Sequence, residues 1–326
     1  MPKVLSVSVA AYNLGEMIDE CLNSFVKSEA IDKVEIIITD DGSRDDTAIR
    51  VQKYVDLYPN SIKLIKQQNA GPGSTVNSGI LHATGKYFRM VDGDDWVNTE
   101  NFTEFVNYLE TCESDMVVTD YEMFNNQNKT FMPFSYNIIP KVNAKMDKVY
   151  LDVPHVMHAL TFKLKIFSEY KIVVNNGFYS DIEYMLYPMQ YVQTVDYFNK
   201  SVYVYRVARM GQSCCLQGYL KNINQHELIL NNVVIKYLQN KNHYCIGFKK
   251  YIEKHISDMC DLRLSLLILS NDSKQGIKKV KEFVKYIHDT LPDVFFYFKK
   301  GKKVKLLVFS NYLLYSYVKK RVERTF

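Results

Sequence analysis

Two short acidic stretches hold the residues best suited to chemistry. Val91–Trp96 reads VDGDDW, and Ile37–Thr47, some distance upstream, reads IITDDGSRDDT. In each, an apolar run with the character of a buried strand ends abruptly in carboxylates and glycine. Unpaired carboxylates are costly to carry into a core, so these acids are expected at the carboxyl ends of their strands, where open α/β sheets place ligands. Hard oxygen donors at such a point suit Mg²⁺ or Mn²⁺ bound together with a phosphate. Two acidic strand ends in one sheet imply a nucleotide–metal site.

The elements needed to position these acids can be read around them. Val4–Ala10 is β-rich and closes in a Tyr12-Asn13 turn, and Gly15–Lys27 has apolar residues at helical spacing. Val34–Thr39 predicts a second strand, apolar almost throughout, as parallel strands buried on both faces are. Asp45 or Asp46 is placed to cap the next helix. Ile62–Ile65 is a third strand, Asn69–Gly73 a glycine-proline turn, Ser74–Ala83 a helix, Tyr87–Val91 a fourth strand and Met116–Thr119 a fifth. This β–α alternation predicts an α/β fold with a doubly wound, mostly parallel, Rossmann-like sheet.

Composition sets outer bounds. The 326 residues suffice for a large domain and a smaller one, and 47% hydrophobic content is that of an ordinary globular protein. The start, MPKVLSVSVAAYN, lacks signal-peptide features, and no run approaches the length of a membrane span. Cys21, Cys112, Cys214, Cys215, Cys245 and Cys260 show no metal-ligand spacing, so reduced thiols in a cytoplasmic protein are expected.

Six ordered segments resemble glycosyltransferases of the inverting, nucleotide-sugar-dependent family 2, with its A-type fold. They are Ser6–Asn13, Thr39–Thr47, Gln68–Ile80 (QNAGPGSTVNSGI), Val91–Trp96, Ser180–Tyr184 (SDIEY) and Tyr205–Ser213 (YRVARMGQS). A lone Asp-x-Asp is weak evidence, whereas six segments in order are specific. The resemblance implies transfer from a sugar nucleotide to a hydroxyl of a glycan or lipid-linked acceptor, as in bacterial capsule, exopolysaccharide or teichoic-acid assembly. It also implies a catalytic domain over 1–215, with a nucleotide-sugar half to about 100 and an acceptor half beyond.

The chemistry asked of the residues follows. Breaking the bond between anomeric carbon and phosphate builds negative charge on the departing diphosphate, which a metal held by carboxylates stabilises. Asp94 is the expected metal ligand, with Asp95 as helper, for Mn²⁺ or Mg²⁺. By the resemblance, Asp92 faces ribose or sugar and Asp40 accepts from a uracil N–H, which points to a UDP-sugar, although thymidine offers the same group. Asp41-Gly42-Ser43 reads as the turn itself. Ala10, Tyr12 and Gly93 are expected to line the donor pocket, with Asn77 reaching the donor or packing in its helix. Relatives often have Arg before that Asn, and here the residue is Val76.

An inverting displacement also needs a carboxylate to take the acceptor's proton. The family's Glu-Asp pair is Ser180-Asp181 here; Asp181 is the expected base, Glu183 its rival, and helix capping by Ser180 or Asp181 the alternative. Arg206, Arg209 and Ser213 are candidate diphosphate contacts. The bland alternative for the arginines is a surface ion pair. His155 and His158 are structural histidines or acceptor-pocket residues.

From about Tyr219 helical periodicity takes over, and 216–326 reads as a helical region without a catalytic motif, suited to packing or to homo-oligomer formation. Between Lys299 and Phe326 stand nine Lys or Arg and one acid, Glu323, a local +8 against +5 overall, so residues 1–298 carry −3. A basic amphipathic helix of this kind either lies on an anionic membrane surface or packs on the protein. The acidic site argues against nucleic acid as a partner. The reading is a metal-dependent inverting glycosyltransferase, cytoplasmic or peripheral on the inner membrane face. An inactive nucleotide-sugar binder and a nucleotidyltransferase are the competitors.

Overall fold

The computed structural model describes residues 2–136, 142–148, 156–208 and 216–324. The chain divides into two compact units, residues 1–210 and 211–326.

The first unit is built on one sheet. Its elements in chain order are β1 (Leu5–Ala11), α1 (Met17–Val26), β2 (Val34–Asp40), α2 (Thr47–Leu57), β3 (Ile62–Lys66), α3 (Pro72–His82), β4 (Tyr87–Asp92), β5 (Trp96–Val97) and α4 (Thr99–Thr111). There follow β6 (Met116–Asn125), β7 (Thr130–Phe134), β8 (Ala144–Lys145), β9 (Leu160–Lys163), α5 (Leu164–Glu169), α6 (Ser180–Met189) and β10 (Thr194–Val207). The strands lie in the order β3-β2-β1-β4-β9-β6-β10-β5, with β7 on β6 and β8 on β10. The long ladders are parallel: β3-β2-β1-β4 on one side, β6-β10 on the other. Short antiparallel pairings through β9 join the two halves, and others finish the edges.

The apolar runs behave as parallel strands require. Every residue of β2 is buried, and Leu5, Val7 and Val9 of β1 are wholly inside, each such side chain contributing about 1.5–3 kcal/mol on burial. Register then delivers the acids. Ala11 pairs with Asp40 on one side of β1, and Ala10 pairs with Asp92 on the other. The strand order reverses around β1, so a crevice opens between the carboxyl ends of β2 and β4.

The second unit is helical: α7 (Leu216–Lys221), α8 (Ile223–Asn240), α9 (Ile246–Leu269), α10 (Ser273–Thr290), α11 (Pro292–Phe298), α12 (Lys302–Phe309) and α13 (Tyr315–Glu323). Helix α9 is its axis, packed against by α8, α10, α11 and α13. Ile256, Cys260 and Leu264 of α9 are fully buried, as are Val280 and Ile287 of α10. The basic segment therefore forms two short helices, where one continuous amphipathic helix was expected. The backbone turns at Asn311 and Tyr312, both at positive φ, and the apolar residues Val304, Leu307, Val318 and Val322 point into the unit.

Candidate active site

The β2 end supplies a rigid turn. Asp40 is buried, and its Oδ1 accepts from the Ser43 backbone N–H at 3.1 Å. Asp41 is the organiser of the neighbouring loop: it accepts from Gln67 Nε2 (2.7 Å) and from the backbone N–H groups of Ala70 (2.9 Å) and Gly71 (3.0 Å). Asp41 thus builds the turn and fixes the approach to α3. Tyr12, just past β1, is 46% exposed, and the carbonyl of Ala10 accepts from the Gly93 N–H at 3.1 Å. That contact explains Gly93 itself: a Cβ there would sit 2.7 Å from the Ala10 carbonyl oxygen and 2.4 Å from Leu14 Cδ1. Gly93 and Ala10 let the acidic turn lie flat against β1.

The three acids of the β4 turn have different surroundings. Asp92 and Asp94 are half-buried, and burial, then the charge of Asp94, then that of Asp181, push the Asp92 carboxyl up. Asp95 is almost fully buried. Its Oδ2 accepts from Tyr203 Oη at 2.5 Å and its Oδ1 from the Arg206 backbone N–H at 2.7 Å. Asp95, expected as metal helper, is an anchor of the turn, each of its oxygens accepting one hydrogen bond.

Arg206 also departs from expectation. Its Nε donates to the Asp94 carbonyl at 2.7 Å, one terminal nitrogen to Asn126 Oδ1 at 3.1 Å, and the other pairs with Glu20 at 2.5 Å. The guanidinium lies over Trp96, 4.6 Å from its centroid. With its side chain only 7% exposed, Arg206 reaches the half-exposed Glu20 from a buried position. It braces the acidic turn from behind. Arg209, Ser213 and His155 lie outside the described residues.

The segment leading to Asp181 is held by α3. Asn77 donates to the Val174 carbonyl (2.8 Å) and accepts from the Val174 N–H (3.0 Å), so its amide is spent on backbone, where donor contact was considered. Gly73 permits the close approach: a Cβ would fall 1.8 Å from the Asn175 carbonyl oxygen. Val76 is buried, so position 76 contributes packing.

Asp181 and Glu183 then separate clearly. Glu183 is buried, accepting from the Asn175 N–H and from Tyr187 Oη (2.6 Å). Asp181 opens to solvent in the first turn of α6, yet protein encloses it closely enough that burial pushes its carboxyl up to about 6. The helix-start amides of Ile182 and of Asp181 itself oppose that rise. The residue flanking α6 at its N-terminus is Tyr179, with no side-chain cap, so neither Ser180 nor Asp181 occupies the N-cap. His158 is buried between the rings of Tyr203 and Tyr205 (4.8 and 5.0 Å), and burial and Arg89 lower it to about 3. It is a neutral packing residue.

Sequence reasoning missed Tyr203 and Glu20. Tyr203 lies at a buried position of β10, and the one available signal is the alternation of that strand. Glu20 has no signal, since its partner Arg206 is 186 residues away.

The donor chemistry fits a hard divalent cation only in part. Among the described residues no group of three or more metal-ligating side chains gathers at one point. Asp94 and Asp92 nevertheless bring carboxylate oxygens close enough that, after burial, the charge of Asp94 helps push the Asp92 carboxyl up. Such a set suits a cation that completes its shell with phosphate oxygens.

Residues 6–170 match the family model "Glycosyl transferase family 2". The chain belongs to glycosyltransferase family 2. Among curated relatives, EpsH of Bacillus subtilis (strain 168), which carries a glycosyltransferase name, is 26% identical over 85% of this chain and 80% of its own. The minor teichoic acid biosynthesis protein GgaB of the same organism is 24% identical over 87% of this chain but only 32% of its own length. Among solved structures, residues 1–349 of S. aureus TarS in complex with UDP-GlcNAc superpose with a TM-score of 0.66 and 17% identity, covering 94% of this chain and 92% of that one. The fold of this family 2 enzyme is therefore the A-type glycosyltransferase fold. No helix among the described residues is long and apolar enough to cross a membrane.

Proposed function

We propose that this glycosyltransferase moves a sugar from a UDP-sugar, with inversion and with Mn²⁺ or Mg²⁺, onto a hydroxyl of a glycan or lipid-linked acceptor in bacterial cell-surface polysaccharide synthesis. The observation that carries the reading is the isolation of Asp181. It is the one acid of its helix start left exposed, near enough to Asp92 to raise it, while Glu183 is held by the Asn175 N–H and the Tyr187 hydroxyl. An acceptor hydroxyl attacking the anomeric carbon gives its proton to Asp181 as the bond to the diphosphate breaks and UDP leaves. A carboxyl raised to about 6 is a better base than an ordinary aspartate and is still ionised at neutral pH.

Asp40 accepts the uracil N–H at the floor of the crevice, and Asp92 faces the ribose or sugar. Tyr12, exposed at the end of β1, covers the base. Asp94 would hold the metal, whose contribution when bound is to neutralise charge on the leaving diphosphate. The UDP-GlcNAc in the TarS complex supports a uridine donor, and the name of GgaB supports a cell-surface acceptor.

The test is a UDP-release assay over a panel of UDP-sugars, with Mn²⁺ or with chelator, on the wild type and Asp181→Asn. Metal-dependent release with one donor, abolished in the variant, is the expected result. Donor binding with no turnover under any acceptor mixture would make the protein an inactive binder. Pyrophosphate release would make it a nucleotidyltransferase.

A further inference from the structure

Where α12 meets α13 the chain reverses over Ser310–Leu314, and large apolar side chains stand in water. Phe309 is 95% exposed and Leu313 89%, with Val308, Leu314 and Tyr317 also exposed beside them. The inward faces of the same helices are already used: Val304, Leu307, Tyr315, Val318 and Val322 are all buried. The tip is therefore a second apolar set, separate from the one that folds the unit.

Cations surround it. Lys305 lies one helical turn before Phe309 on the same face. Lys281 Nζ sits 5.0 Å from the centroid of the Tyr312 ring, and the Arg321 guanidinium 5.7 Å from that of Tyr317. Lys320 follows Tyr317 by three residues and is exposed. Glu323 is the single acid between Lys299 and Phe326. Apolar tip, then tyrosines, then cations is the order in which a bilayer presents acyl chains, interface and phosphates. A nucleic acid would account for the cations but gain nothing from Phe309 and Leu313.

We propose that the α12–α13 tip is a membrane-docking site. It inserts Phe309 and Leu313 into an anionic phospholipid surface while Lys281, Lys305, Lys320 and Arg321 engage headgroup phosphates. This deepens the lipid-linked-acceptor reading by naming the partner surface. Its test uses no sugar donor, so its failure and the failure of the donor assignment are separable.

The experiment is flotation of the full chain with phosphatidylcholine vesicles, with and without phosphatidylglycerol. Binding should require phosphatidylglycerol and fall with salt. The Phe309→Ser/Leu313→Ser double variant should lose at least about tenfold in partitioning, and Lys305→Gln and Lys320→Gln about fivefold each. Thermal midpoints should be unchanged, because all four side chains are exposed. Phe309→Trp adds an indole whose emission should shift to the blue on vesicles and be quenched by brominated lipid. Three results would overturn the proposal: equal partitioning of the double variant, an unshifted indole, or a change in oligomeric mass with no effect on vesicle binding.

Discussion

The hydroxyl of Tyr203 ties together the two ends of the acidic turn. It donates to Asp95 Oδ2 at 2.5 Å and accepts from the Asp92 backbone N–H at 3.2 Å. The placement of Asp94, the proposed metal ligand, is thus set from β10, through a buried bond to its neighbour. Tyr203→Phe should cost about 1–3 kcal/mol by leaving a buried carboxyl short of a partner, read as a lowered urea midpoint. If the turn is what Tyr203 serves, the variant should also need more Mn²⁺ for half-maximal UDP release, and a purely structural tyrosine would leave that requirement unchanged.

Arg206 makes a second, distinguishable prediction. Lysine keeps the charge beside Glu20 but cannot bond the Asp94 carbonyl and Asn126 together as the guanidinium fork does. Arg206→Lys should lower kcat about tenfold, on the order of 1.4 kcal/mol, with the KM for the donor little changed. A diphosphate-binding arginine would instead raise that KM, and such a result would return Arg206 to the donor site.

Much of this site is legible in the sequence. Runs such as VEIIITD and YFRMVD end in acid because a parallel strand buried on both faces has nowhere else to put one, so the β2 and β4 ends could be read directly. The hydrogen bonds that anchor the Asp95 carboxylate to β10 could not. Two adjacent acids are equivalent as letters, and what separates them is a hydrogen bond from a tyrosine 108 residues away. The bonds of Asn77 were hidden for the same reason, its partner Val174 being 97 residues distant. Short antiparallel strands such as β5, β8 and β9 carry too few residues for periodicity to register. In the basic segment composition gave charge and apolarity correctly, but not the break at Asn311-Tyr312 that gathers Phe309 and Leu313 at one tip.

Asn77 separates positioning from binding. Asn77→Ala removes both bonds to Val174 and should cost about 1–3 kcal/mol. By loosening the segment that precedes α6 it should lower kcat, while UDP affinity by calorimetry stays at the wild-type value. A matching loss of UDP affinity would show that Asn77 reaches the nucleotide after all.

The acids also fix a pH dependence with a definite sign. As the proposed base, Asp181, raised to about 6, must be ionised to accept a proton, so kcat/KM should climb through pH 6 and level off above it. Asp181→Asn should abolish that limb together with turnover, and Glu183→Gln should keep the limb while lowering stability, since Glu183 holds the Asn175 N–H and Tyr187. Stability runs the opposite way. A carboxyl whose folded value is raised stabilises the fold fully below its unfolded value near 4, and that contribution is lost as pH rises through about 6. Asp92 and Asp95 are raised as well, by burial first and then by neighbouring acids, and add to the same trend. In the proposed site Mn²⁺ with UDP binds the ionised acids, so the two together should raise the thermal midpoint more at pH 8 than at pH 5. A larger shift at pH 5 would mean that the ligands bind elsewhere than at Asp92 and Asp94.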